Sequence, residues 1–424
     1  MKKVKKYDVI VAGGGFAGAA AAIAAARGGA DVLLVDKSNA LGGTVGNCLI
    51  NPFMPYWTLI DGKRYDLCRG IFAEITRRLE ETGGLYQNKT IQETQCFNEE
   101  YLKLILNRMA LEAGVTLLFR SYITAVRKEN DRLSSITVAN KSGTAELEAR
   151  YFIDATGDAD IAYLAGAPYT LGRSDDHLCQ PMTLCFRVGN VDIPKFNSQF
   201  QQLNALYKEY KAAGKIKNHR EDILVFPNTT ENILHFNSTR IIKRNPTDAF
   251  DLTQAEIEAR EQVFELFEFL KAHCDAFANS TLLSTASEIG VRESRMIDGI
   301  YKLTQEDLVN CVKFKDSIAL GNYDIDIHNP AGGGTSHYYF HMGQYYSIPY
   351  RALLPQKVDN LWVAGRCISA THEAQASIRI MPIVCCIGEA AGTAAALAAE
   401  QNITPAQLDT ELLRQRLKEN GAAV

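Results

Sequence analysis

No two of the ten cysteines stand in C-x-x-C spacing. They fall at positions 48, 68, 96, 179, 185, 274, 311, 367, 385 and 386, a scatter without zinc-like spacing that fits reduced, mostly buried thiols. The vicinal Cys385 and Cys386 read as packing residues, because a disulfide between neighbours is strained. Histidine offers no clearer metal site. His337 and His341 are four apart, but their glycine and aromatic neighbours argue against a shared helix face, so no metal is expected. No apolar run is expected to reach the length needed to span a bilayer. Neither sign of charge dominates, with 45 Lys+Arg against 49 Asp+Glu and a formal net charge of -4. Nucleic acid and membrane are therefore not expected as partners. No internal repeat or low-complexity linker is evident.

What is present is an ordinary globular composition, 46% hydrophobic and 22% charged over 424 residues, a length that suggests two domains. One stretch stands out. Residues 7–37 run from Tyr-Asp-Val-Ile-Val-Ala through a glycine turn and an alanine-rich run to Val-Leu-Leu-Val-Asp36-Lys37. This reads as strand, turn, helix and second strand. Gly13, Gly15 and Gly18 hold G-x-G-x-x-G spacing. The first permits the tight turn, the second lets backbone approach a pyrophosphate, and the third lets the helix pack on the strand. Phe16 and Ala17 open that helix, whose unpaired N–H groups and positive dipole end suit phosphates. Asp36, with Lys37 beside it, is positioned to accept from a ribose 2′-OH and to repel a 2′-phosphate, so NADP is disfavoured. The motif alone does not separate FAD from NAD. Lys2, Lys3, Lys5 and Lys6 precede this stretch in the manner of a secretion signal, but Asp8 and the glycine turn interrupt it. Cleavage there would destroy the nucleotide site, so the lysines read as a solvated lead-in and the protein as cytoplasmic.

Further along, Gly42-Gly43-Thr44 forms a glycine loop. Residues 66–82, 98–113 and 253–272 carry helical patterns, and 115–126 and 132–153 read as strands. The segment from Tyr151 to Asp154 enters a second glycine turn at Ala155-Thr156-Gly157-Asp158. Residues 361–399 return to a strand ending at Gly365-Arg366, a loop and an alanine-rich helix. A surface helix is expected from Thr404-Pro405.

In order, the first glycine motif with Asp36, the Gly42-Gly43-Thr44 loop, the Ala155 to Asp158 turn and Val363-Ala364-Gly365 resemble FAD-dependent oxidoreductases of the glutathione-reductase-like Rossmann fold. The resemblance is closest to a bacterial family of such enzymes that shares stretches like 321–330 and 365–379, and it covers nearly the whole chain. It implies an α/β fold: a Rossmann-like FAD-binding domain with a central parallel sheet, plus an inserted α+β substrate or capping domain. Residues 1–166 and 346–424 would form the FAD-binding domain with C-terminal helices, and 167–345 the cap. Two departures stand out. Many relatives carry an acid after the late glycine, where it binds the ribityl chain; here the residue is Arg366. Disulfide reductases carry a cysteine pair after the Gly-Gly-Thr loop; here Cys48 stands alone. A second NAD-type motif is absent, so the electron donor or acceptor is left unknown.

A flavin performs the electron chemistry itself, and the protein orients the substrate and sets the electrostatics. The resemblance implies that Arg379-Ile-Met-Pro382 opens a helix whose free N–H groups lie near the isoalloxazine. His372 and Glu373, read as a loop pair, are candidate acid and base. Cys48 is a candidate for the flavin face. Arg292 and Arg295, three apart, would share one side of a helix and clamp a carboxylate. His328, before Asn329-Pro330 and a glycine run, suits a substrate contact on a lid or a loop near the flavin. Tyr350 and Arg351 suit a domain interface. The expected activity is hydride transfer between flavin N5 and a small organic molecule. The alternatives are a flavin monooxygenase and a non-catalytic flavin-holding electron-transfer or interaction subunit.

Overall fold

The computed structural model describes residues 5–86 and 94–424; Lys2 and Lys3 of the lead-in lie outside the described residues. Lys6–Ala12 lies between two parallel strands, Val32–Val35 and Gly143–Asp154. Thr116–Leu118 extends the sheet beyond Val32–Val35, and Leu361–Val363 pairs parallel with the end of Gly143–Asp154. Val9, Ile10, Val11 and all of Val32–Val35 are buried whichever face they point to. Continuous rather than alternating apolar runs are what a parallel sheet covered on both faces requires. The expected α/β fold with a central parallel sheet is the one observed.

Tyr122–Glu129 and Arg132–Asn140 form an antiparallel meander with Gly143–Asp154. One edge of that long strand is shared: its start pairs with the meander and its end with Leu361–Val363. Asn360 clasps the junction. Its side chain accepts from the Leu133 N–H at 2.9 Å and donates to the carbonyls of Leu133 and Arg150 at 2.9 and 2.8 Å.

Two alanine-rich helices, Phe16–Arg27 and Met381–Gln401, pack backbone against backbone. A Cβ at Gly388 would stand 2.0 Å from the Ala17 carbonyl oxygen, and one at Gly392 2.0 Å from that of Ala21. Residues four apart lie on one helix face, so two glycines on one helix meet two alanines on the other in a single register. The Met381–Gln401 helix also corrects an expectation. By length and composition, with a mean hydropathy of 1.6, it could cross a membrane, yet its apolar window is 100% buried. The composition answers to its central place in the core.

Other boundaries shift for local reasons. The 66–82 pattern divides into a strand, Lys63–Asp66, and a helix, Ile71–Glu81, because Gly70 turns the chain at φ 60. The next helix, Glu99–Glu112, starts as expected: the Asn98 side chain accepts from the N–H groups of Glu100 and Tyr101. At the tail, Thr404 and Gln407 close only a single 3-10 turn, Pro405–Gln407. The helix is Thr410–Glu419, capped by Asp409, and Leu413 and Leu417 bury one side of it.

A second sheet orders Val225–Pro227, Leu234–Phe236, Phe186–Gly189 and Thr281–Thr285, all antiparallel. Phe186, Val188, Leu234 and Phe236 share a separate core with Val263, Leu266 and Leu270 of the helix Ala249–His273. This core draws on residues from Met182 to Ile289. The stretch read as an inserted domain is thus divided, since buried residues from Ile297 to Ile325 join the core of the parallel sheet.

Glu389 of the Met381–Gln401 helix is 2% exposed, and its carboxylate accepts the Ile71 N–H at 3.0 Å, capping the Ile71–Glu81 helix. Burial pushes its carboxyl up from 4.5 to about 7. Between those values the folded state binds more protons than the unfolded state, so stability falls as pH rises through this window. Glu389→Gln should flatten that slope and leave the protein more stable at pH 8, by roughly 3 kcal/mol at most. Urea melts of both proteins at pH 5 and pH 8 measure it; parallel pH profiles would refute it.

Candidate active site

The first glycine turn separates structural glycines from one facing open space. Gly13 takes φ +93, and a Cβ there would lie 2.3 Å from the Ala155 carbonyl oxygen. A Cβ at Gly18 would lie 1.7 Å from the Gly13 oxygen. Gly15 has φ −65 and ψ −175, which any residue can adopt, and nothing stands within 4 Å of a Cβ built on it. No side chain caps the helix it opens, beginning with Phe16 and Ala17, so the first-turn N–H groups are left for a ligand. The loop of Gly42, Gly43 and Thr44 closes over the same turn. The Gly42 N–H donates to the Gly14 oxygen at 2.8 Å, and a Cβ at Gly43 would come 2.8 Å from Gly15 Cα. Asp36 accepts the N–H of Gly14 and, at 2.6 Å, that of Ser38, so it also holds the turn in shape. Lys37 pairs with Glu288 at 3.1 Å. An extended dinucleotide fits this arrangement: a gap at Gly15, an uncapped helix start and a buried carboxylate beside them.

The second turn, Ala155 to Asp158, adjoins Gly365 and Arg366. The Arg366 guanidinium lies against Gly157, where a Cβ would come 2.9 Å from its Cζ. It donates to Asp158 Oδ1 at 2.7 Å, and the Ser294 hydroxyl donates to the same oxygen at 2.6 Å. Burial pushes the Asp158 carboxyl up, but Arg366 and Ser294 outweigh it and hold the group low. The cation after the late glycine is therefore matched by an acid in the adjoining turn. The buried Arg366 Nε has no partner among the described residues.

His372 lies not in a loop but at the first position of a helix, His372–Ile378, capped by Thr371. Its partner is not Glu373. The Nδ1 atom lies 2.8 Å from Oε1 of Glu293, and both side chains are buried. Successive helical residues point about 100° apart, which separates Glu373 from the imidazole of its neighbour. The second oxygen of Glu293 accepts the Gln180 N–H at 2.7 Å. Gln180 donates to Gln375 at 3.0 Å, and Gln375 donates to the Arg292 carbonyl at 2.9 Å.

Arg292 and Arg295 do not form a joint clamp. Residues 291–294 are irregular and Arg295 begins a strand, Arg295–Ile297, so the helical spacing does not apply. Arg295 donates to the Asp158 carbonyl at 2.6 Å and to Asp160 at 2.9 Å, over the Tyr163 ring. Arg292 instead donates to the Pro181 carbonyl at 2.6 Å.

His328 sits on a hairpin rather than an open loop, since Ile325–His328 pairs with Thr335–Tyr338. Its Nδ1 accepts from Arg240 at 3.0 Å, which leaves Nε2–H to donate to Asp326 at 3.3 Å. Burial and the nearby Arg292 hold this imidazole well below its usual value, hence neutral. Burial opposes ionisation of Asp326, but His328 and Arg379 overcome it and keep the carboxylate charged. Arg379 reaches Asp326 at 3.4 Å, and Pro382 stands in the first turn of the following helix, which has no side-chain cap.

Other candidates are tied down. Cys48 is buried, lies 3.5 Å from the Ile289 carbonyl, and burial pushes its thiol up, so it is a poor nucleophile. His337 pairs with Asp324 on the hairpin strand and shares no helix face with His341. Tyr350 accepts from Trp362 at 2.7 Å, and Arg351 pairs with Asp316. Gln180, Glu293, Asp326 and Arg240 complete the cluster unannounced; each comes from a different segment, without motif or spacing.

The comparisons with known proteins follow this geometry. The family model described as FAD dependent oxidoreductase matches residues 8–417. A search of curated proteins finds no match. Among solved structures, a geranylgeranyl bacteriochlorophyll reductase-like protein from Thermoplasma acidophilum is similar at 14% identity and a TM-score of 0.50, over 98% of this chain and 84% of that one. The anhydrotetracycline hydroxylase OxyS from Streptomyces rimosus is similar at 12% identity and a TM-score of 0.46, over 98% of this chain and 66% of that one. At such identities the first likeness concerns the fold alone. The family match spans both glycine turns and the His372 segment, and the chain belongs to the FAD-dependent oxidoreductase family.

Proposed function

We propose that this enzyme transfers hydride between flavin N5 and a small organic substrate. FAD, the family's cofactor, supplies the two-electron chemistry when bound. Gly13, Gly15, Phe16, Ala17 and Gly18 would hold its pyrophosphate, and Asp36 and Lys37 its adenosine ribose. Gly42, Gly43 and Thr44 would cover the phosphates. Ala155, Gly157, Asp158, Gly365 and Arg366 would line the path toward the ring, with Arg379 and Pro382 near it.

The observation that carries the reading is the buried His372–Glu293 pair. Oxidation at a carbon bearing a hydroxyl, or reduction of a double bond, needs a proton moved as well as an electron pair. Glu293 fixes the imidazole through Nδ1, which leaves Nε2 as the atom that takes or gives the proton. Gln180 and Gln375 hold Glu293 and the Arg292 backbone in one network. Two residues beyond Arg292, Ser294 reaches Asp158, so the network adjoins the groove proposed for the cofactor.

His372→Ala should purify with its full FAD content. Flavin reduction by the donor found in an anaerobic screen should slow on the order of a hundredfold or more. Unchanged reduction would remove His372 from the mechanism. Oxygen consumption with a hydroxylated product would replace the hydride reading with a monooxygenase.

A further inference from the structure

We propose that the substrate is an organic carboxylate, and that its carboxylate docks on the free fork of Arg292 beside Arg379. This rests on the oxidoreductase reading above and names the substrate class of that site.

Four guanidinia converge here, and their partners differ. Arg220 pairs with Asp222 at 3.2 Å, Arg240 with Glu221 at 3.1 Å and Arg379 with Asp326 at 3.4 Å. Arg292 has no carboxylate partner among the described residues; its one bond is from Nη1 to the Pro181 carbonyl. A carbonyl neutralises no charge. Burial and then repulsion from Arg379, Arg220 and Arg240 bring its guanidinium down to about 9. A cation under that pressure is relieved by an added anion.

The geometry left free suits a carboxylate. With Nη1 committed to Pro181, Nε and Nη2 form no bond among the described residues, and neither is among the sealed, unpartnered polar atoms. Two parallel N–H donors on one guanidinium match the two oxygens of a carboxylate. One unpaired positive charge calls for one negative charge. Arg379, which reaches Asp326 at 3.4 Å, adds a second positive charge beside this fork. The Arg292 backbone accepts from Gln375, in the helix that begins with His372, so the proposed anchor and the proposed proton carrier are held by one network. His328 is neutral and bonded on both nitrogens, so it shapes the wall without adding charge.

The test uses the FAD-loaded holoenzyme. Succinate and benzoate are titrated against their neutral counterparts, succinamide and benzamide, with the flavin difference spectrum and calorimetric heat as separate readouts. Both carboxylates should bind saturably, and their amides at least tenfold more weakly. Arg292→Gln should weaken carboxylate binding at least tenfold with FAD content unchanged, and Arg292→Lys should fall between. Equal binding of acids and amides, or unchanged binding by Arg292→Gln, would overturn the proposal. So would phosphate or sulfate binding as tightly as the carboxylates, which would mark a general anion site. Carboxylate heat that depends on Arg292 without any flavin response would keep the carboxylate site and reject its placement beside the cofactor.

Discussion

A Gly15→Val variant is expected to fold normally and to purify colourless. Gly15 is the one glycine of its motif whose backbone, at φ −65 and ψ −175, needs no glycine and whose Cβ direction is empty. The apoprotein therefore loses little by the change, no more than the N-cap preference of Gly over Val. The pyrophosphate does, because an isopropyl group would occupy the space through which it approaches the helix N–H groups. Affinity for FAD should fall on the order of a hundredfold or more, roughly 3 kcal/mol. Fluorescence titration with FAD measures it, with the apoprotein melting temperature as control. A yellow variant with unchanged affinity would remove this turn from the cofactor site. Gly18→Val should behave otherwise and fail to fold, since even its Cβ would meet the Gly13 oxygen at 1.7 Å.

The second large effect concerns the helix pair. Gly388→Ala adds one methyl group 2.0 Å from a backbone oxygen of the facing helix, where no rotamer can relieve the clash. The helices must separate, and the alanine contacts along both are lost together. A destabilisation of about 3 kcal/mol or more is expected, at or beyond the upper end for overpacking. Gly332→Ala is the control: its nearest neighbour is the Asn329 side chain at 3.8 Å, so it should stay within about 0.5 kcal/mol of the parent. Denaturant midpoints compare the two. Equal midpoints would mean that the helices adjust without cost.

The nucleotide half of the fold was legible because its signals are local. Gly13 to Asp36 carries turn, helix, strand and acid in one continuous stretch, and the turns after Asp154 and Val363 repeat part of that pattern. The helix contact was also written in the chain, as Gly388 and Gly392 four apart against Ala17 and Ala21 four apart, but it needs the two ends of the sequence to be read together. The chemistry was less legible. His372 was singled out, while its partner Glu293 comes from a segment 79 positions away. The spacing of Arg292 and Arg295 misleads because three residues mean one side only in a helix, and residues 291–294 are irregular. Met381–Gln401 shows the same limit in another form, since composition alone does not tell a buried core helix from a membrane-crossing one.

The shared edge of Gly143–Asp154 has a consequence for synthesis. The strand that completes it, Leu361–Val363, and the helix that covers Phe16–Arg27, Met381–Gln401, are made only after the whole second sheet and its helices. Until they emerge from the ribosome, the alanine-rich face of Phe16–Arg27 and the apolar end of Gly143–Asp154 have no partners. The nascent chain therefore carries a waiting sticky surface while the intervening elements are made, the condition under which chaperones are engaged. The first helix made, Phe16–Arg27, packs on a helix made much later, Met381–Gln401, so the nucleotide domain closes only once that later helix has emerged.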